Sequence, residues 1–86
     1  MDRYLVIAPH THEECVKAIK VIEAVGSVTR WDWGCKDGEH CGWVIVEAES
    51  RDEALLAVPA IERHNARAVK LTRFTLEEMK QLHGGA

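Results

Sequence analysis

One motif, Ser/Thr-x-x-Glu, occurs three times in this chain and sets where its helices begin: Thr11-His12-Glu13-Glu14, Ser50-Arg51-Asp52-Glu53 and Thr75-Leu76-Glu77-Glu78. In such a capping box the hydroxyl accepts from the amide three residues on, while the glutamate reaches back to the cap's own amide. The acidic first turns also suit the positive end of the helix dipole. After the first box Cys15, Ala18, Ile19, Ile22 and Val25 recur at helical spacing, and Gly26 supplies the stop. After the second, Ala54, Leu55 and Val58 form a shorter stripe that Pro59 interrupts. After the third, Leu76, Met79 and Leu82 or His83 lead to Gly84.

Between the helices lie strand-like runs. Residues 3–8 and 43–48 are nearly continuous in apolar side chains, whereas 28–33 and 67–74 alternate. With 86 residues the chain has room for a single domain. Residues 1–75 would form its βαββαβ core, and 76–86 a short C-terminal helix and tail. The chain also echoes itself at an offset of 39 residues, with Tyr4 falling on Trp43, Val6 on Ile45, Thr11 on Ser50 and Glu14 on Glu53. Two βαβ halves of this size predict an α+β fold, the ferredoxin-like βαββαβ sandwich. Its four-stranded antiparallel sheet would run in the order 4-1-3-2, with the helices over one face.

Composition excludes several classes. Hydrophobic residues make up 47% and charged residues 29%, too apolar a balance for intrinsic disorder. No apolar run approaches the roughly 18 residues of a membrane span. The first strand is too short for the apolar core of a signal peptide, so a cytoplasmic protein is expected. The net charge is -3 with scattered basic residues, which argues against nucleic acid as a partner. Three cysteines, an odd number, argue against a disulfide scaffold.

Strand alternation then distributes the aromatic residues. If Leu5 and Ile7 face the helices, Tyr4 faces away. A hairpin register pairing Trp33 with Cys41 sets Trp31 opposite Trp43, and Phe74 closes the last strand. Tyr4, Trp31, Trp33, Trp43 and Phe74 would then share the open face, an apolar patch that a monomer rarely exposes. Either the C-terminal helix folds over it or, the reading favoured here, a homodimer packed sheet to sheet covers it. In this layout the chain resembles the dimeric α+β barrel superfamily of small ferredoxin-like proteins. That superfamily includes cofactor-independent oxygenases, isomerases, stress proteins and a small nickel-binding family. The resemblance implies the fold and the dimer; no catalytic motif is matched, so it assigns no functional residue.

Five histidines and three cysteines are many soft ligands for so short a chain. Two segments hold most of them: His10-x-His12-x2-Cys15, and Cys35-Lys36-Asp37-Gly38-Glu39-His40-Cys41. The predicted topology brings both to one edge of the sheet, together with the His64-Asn65 return, and leaves His83 outside. In the second half of the repeat, His10, His12 and Cys15 fall on Glu49, Arg51 and Ala54, so the opposite edge has no such ligands. Mixed thiolate and imidazole donors suit a transition-metal ion: Zn²⁺, Ni²⁺, Cu⁺ or Fe²⁺. The expected ligands are Cys35, His40 and Cys41 with His10 or His12, and Cys15 and His64 are additional candidates. Gly34, Gly38 and Gly42 would let the hairpin backbone pass close to the ion. Cys15 lies in the apolar stripe of its helix and reads as plain core before ligand, while its place in the first turn would lower its pKa and keeps it a candidate reactive thiol.

Two further functions fit the same residues. An enzyme would bind a small organic substrate in a pocket of Trp31, Trp33, Trp43 and Tyr4, with His10, Asp32 or His40 as acid and base. A thiol redox protein would join Cys35 to Cys41 reversibly.

Overall fold

In the computed structural model, which describes residues 1–24 and 30–82, the elements are β1 (Asp2–Pro9), α1 (His12–Ala24), β2 (Asp32–Trp33), β3 (Cys41–Ala48), α2 (Arg51–Leu55), β4 (Arg67–Leu71) and α3 (Leu76–Leu82). Single 3-10 turns lie at Cys35–Asp37 and Arg63–Asn65. Val25, Gly26, Val28, Thr29, His83 and Gly84, which carried the expected helix stop, strand start and tail, lie outside the described residues, as do the side chains of Ala18 and Ile22.

All three boxes cap helices. Thr11 N–H donates to the Glu14 carboxylate at 2.8 Å, and Glu14 N–H donates to the Thr11 hydroxyl at 3.2 Å. Thr75 and Glu78 repeat this exchange at 3.3 and 3.2 Å. At α2 the Ser50 hydroxyl accepts from Glu53 N–H at 3.1 Å, but the Glu53 carboxylate takes the amide of Glu49 instead of Ser50. Pro59 offers no N–H to continue the α2 ladder. Arg63 donates there in its place, from Nε to the Leu55 carbonyl at 3.2 Å and from Nη2 to the Val58 carbonyl at 2.9 Å.

The sheet is open, four-stranded and antiparallel, in the order β2-β3-β1-β4. Val6 stands opposite Val44 on one side and Ala68 on the other. These residues join Tyr4, Ala8, Trp31 and Ala48, and Ala54 and Val58 of the α2 segment cover them. Val6 and Val58 are fully buried, a burial that contributes about 1.5–3 kcal/mol for each side chain.

This arrangement reverses the expected faces. Tyr4, Val6, Ala8 and His10 are the buried residues, while Leu5 and Ile7 are only half-buried. The hairpin register differs as well: Trp33 pairs with Gly42, and Asp32 with Trp43. A Cβ on residue 42 would lie 2.8 Å from the Trp33 ring and 3.0 Å from that of Trp31. Glycine at this position gives both indoles room, and they stack at 5.5 Å and 22°. A slip of one residue turns every side chain to the other face. Trp31, Trp33 and Tyr4 therefore belong to the core side, and Trp43 alone faces away. Phe74 lies beyond the end of β4 and is exposed. The face opposite the core carries Leu5, Ile7, Trp43, Ile45, Val69 and Leu71 instead.

The 39-residue echo holds for elements and fails for faces. Residues 2–9 and 41–48 are both strands, and the helices after them start at residues 12 and 51. Yet buried Val6 falls on exposed Ile45. Directly opposed residues of a sheet share a face, and Val6 stands opposite Val44, so the next residue, Ile45, turns away. Of the apolar stripe expected on α1, the two members with described side chains divide: Cys15 is buried and Ile19 exposed, and Val16 and Val21 elsewhere on the helix are exposed too. Among the described residues, no helix is long and apolar enough to cross a membrane.

Candidate metal centre

Main-chain pairing beyond the strand ends builds this corner. His10, one residue past β1, donates its N–H to the His40 carbonyl at 3.0 Å, which fixes the two histidines side by side. Cys35 opens the 3-10 turn, and Gly38 closes it with φ 83°, its N–H donating to the Cys35 carbonyl at 3.1 Å. A side chain rarely adopts that left-handed backbone, so glycine is required there. Cys15 arrives from α1, its amide donating to the cap residue's carbonyl at 2.9 Å.

The donor atoms of His10, Cys35 and His40 all lie within 4.8 Å of one another. His10 is buried, Cys35 half-buried and His40 exposed, so the group opens to solvent on the His40 side. The His10 ring has one nitrogen committed. Its Nδ1 lies 3.3 Å from the Ala8 carbonyl, which can only accept. The proton of the neutral ring therefore sits on Nδ1, and Nε2 presents its lone pair. Nε2 is 3.3 Å from Cys35 Sγ. A backbone carbonyl on one imidazole nitrogen is the usual way of orienting the other toward a metal.

Cys15 Sγ lies 3.6 Å from Cys35 Sγ, on the buried side of the group. Burial, reinforced by the bond to Cys35 and by the negative charge of Glu62, pushes the Cys15 thiol up to about 11. The lowered pKa expected from its helix position is thus overturned, because desolvation outweighs the helix dipole at this site. The plain-core reading of Cys15 agrees with its burial, and its neighbour there is a second sulfur.

The remaining candidates divide. The His12 ring meets the His40 ring edge-on at 5.7 Å, and His10 meets His40 at 5.9 Å, so His12 borders the group at the surface. Cys41 is outside the close group. It pairs across the strands with Pro9, its thiol donates to the Gly42 carbonyl at 3.7 Å, and burial raises its pKa. His64 is exposed in the 3-10 turn, and its charge helps to hold the Glu14 carboxyl below its usual range, behind the larger effect of the Thr11 amide. Gly42 serves the indoles and Gly38 the turn, so neither demand comes from an ion.

Sequence reasoning missed Glu62. It is 2% exposed, and its Oε1 has no hydrogen-bond partner. Burial, with a smaller contribution from Glu14, raises its pKa. An acidic residue between Ile61 and Arg63, three residues after Pro59, reads as solvated turn, and only the fold places it inside.

Tyr4, Trp31 and Trp33 lie on the core side and Trp43 on the other, so these four do not line one pocket. Tyr4 and Trp31 are buried and Trp33 is stacked on Trp31. A shallow depression of about 280 Å³ lies on the opposite face against Trp43, lined by Leu5, Arg30, Asp32, Val44 and Ile45. Likewise, the sulfur next to Cys35 is that of Cys15, not Cys41. Fold and site together define a small α+β protein with a His/Cys cluster at one end of its sheet. No family model, curated protein or solved structure matches the chain.

Proposed function

We propose that the protein binds a transition-metal ion through His10, Cys35 and His40, with Cys15 as the fourth ligand. The observation that carries this reading is the oriented donor set: three soft ligands within 4.8 Å of one another, with His10 Nδ1 engaged by a main-chain carbonyl. Two of the spacings around Cys35 support it as well. Zn–S near 2.3 Å and Zn–N near 2.0–2.1 Å give tetrahedron edges of about 3.8 Å between sulfurs and about 3.6 Å between sulfur and nitrogen. The corresponding distances are 3.6 Å for Cys15–Cys35 and 3.3 Å for His10–Cys35. Four protein ligands would make the site closed, suited to buffering, sensing or delivery; three would leave a position open for chemistry. The imidazole and thiolate donors suit Zn²⁺, Ni²⁺, Cu⁺ or Fe²⁺ alike. The test is titration of reduced protein with zinc in competition with a chromophoric chelator. Cys35→Ala and His40→Ala are expected to weaken binding by more than about 100-fold, beyond the cost of losing an outer partner. Cys41→Ala is expected to bind as the parent does. Undiminished binding by Cys35→Ala contradicts the assignment.

We propose further that the fold is the ferredoxin-like one of the dimeric α+β barrels, and that a second copy of the chain covers the open sheet face. The order β2-β3-β1-β4, read from the other edge, is 4-1-3-2, and this supports the first half. Support for the second comes from Leu5, Ile7, Trp43, Ile45, Val69 and Leu71, which register across three strands on the face away from the core.

A further inference from the structure

Cys15 and Cys35 are the two sulfurs that the fold brings together, 3.6 Å apart, from elements 20 residues apart in sequence. A disulfide bond is about 2.0 Å long, so the sulfurs need to close by roughly 1.6 Å, within reach of side-chain rotation. Their surroundings differ in a useful way. Cys35 is half-buried and lies 3.3 Å from His10 Nε2, whose lone pair is free because Nδ1 faces the Ala8 carbonyl. A thiol beside an oriented imidazole is an activated nucleophile. Cys15 is buried and reaches solvent poorly, but it touches Cys35.

We propose that Cys15 and Cys35 are a thiol–disulfide exchange pair whose oxidation closes the metal site; the second clause rests on the metal reading above, and the first does not. The oxidant is a small-molecule disulfide. The Cys35 thiol passes its proton to His10 Nε2, and the thiolate attacks one sulfur of that disulfide. A mixed disulfide forms on Cys35, and the first small thiolate leaves and collects the proton. The Cys15 sulfur then attacks the Cys35 sulfur, and the second small thiolate departs with the Cys15 proton. Two cysteine thiols are oxidised and one small disulfide is reduced to two thiols, so electrons and hydrogens balance. The bond removes two of the four proposed ligands at once.

The test uses the full chain, stripped of metal, with excess glutathione disulfide. The expected product has lost two hydrogens in intact mass, and peptide mapping places the bond between Cys15 and Cys35. Cys41→Ser is expected to form the same bond. Cys15→Ser, with its fold checked by circular dichroism, is expected to stop at a glutathione adduct on Cys35. A Cys35–Cys41 bond, or a Cys15→Ser protein that still forms an internal bond, overturns the pairing. In the second arm, zinc uptake is expected to fall at least about 100-fold on oxidation. Prior zinc loading is expected to slow the exchange. Equal uptake by oxidised and reduced protein overturns the closing of the site. If the bond forms while reduced protein takes up no zinc, the metal reading fails and the exchange pair stands.

Discussion

At the scale of single residues, Glu62 makes the sharpest stability prediction. Its carboxyl is buried with one oxygen unpartnered, and burial raises its pKa above the ordinary 4.5. The folded state therefore holds the Glu62 proton to higher pH than the unfolded state does. This contribution is fully present below 4.5 and is lost as pH rises through the raised value. The groups that bear on it are Glu14 and Cys15, the first adding to the upward shift. Glu62→Gln replaces the charge with a neutral amide of the same shape. In metal-free protein it is expected to raise stability on the order of 1 kcal/mol at pH 7 and to have little effect at pH 4. Chemical denaturation at the two pH values checks this, and a variant less stable than the parent at pH 7 contradicts it. Little of this residue was legible in the sequence, because nothing local distinguishes a buried turn glutamate from a solvated one. His10, Cys35 and His40 were legible, since strand ends and loops place them at one edge whatever the strand parity. Cys41 does not join the three donors that lie within 4.8 Å of one another, and spacing along the chain could not separate it from its neighbour His40.

The elements were read more securely than their faces. The three capping boxes are local chemistry, and each caps a helix. The Thr11 cap also fixes the turn that carries Cys15, so Thr11→Ala is expected to cost about 1 kcal/mol. It should weaken zinc binding as well, by disturbing the turn that holds Cys15; thermal melts and the chelator titration measure the two effects. A helix equally stable without the hydroxyl would show that packing, not the cap, holds α1. The hairpin was misread because apolar alternation leaves two registers that differ by one residue, and bulk decides between them. Gly42 is the deciding position, since a Cβ there meets Trp33 at 2.8 Å. Gly42→Ala is expected to destabilise the protein by about 1–3 kcal/mol, as overpacking does. The change should also disturb the stacked indoles, visible in near-UV circular dichroism. The α1 stripe shows the remaining limit: periodicity reveals that a helix has an apolar face, not what that face meets.

For the molecule as a whole, shape and surface point the same way. The radius of gyration is 15.4 Å, against about 12 Å for a compact chain of this length. Val16, Ile19 and Val21 on α1 and Ile45 on the open sheet face are exposed. A second copy covering the sheet face would bury its apolar residues, so the protein is expected to show twice its 9.7 kDa mass in solution. Ile45→Lys should shift it toward the monomer, and a monomeric parent at micromolar concentration contradicts the dimer. The metal centre does not depend on that outcome, since one chain supplies all four proposed ligands. Its most direct test is X-ray absorption at the metal edge on reduced protein reconstituted with zinc. The proposed site gives one ion per chain in a four-coordinate shell of two sulfurs and two imidazole nitrogens, kept in Cys41→Ala and lost in Cys35→Ala. A shell of oxygen and nitrogen without sulfur, or one that loses a sulfur only in Cys41→Ala, contradicts it.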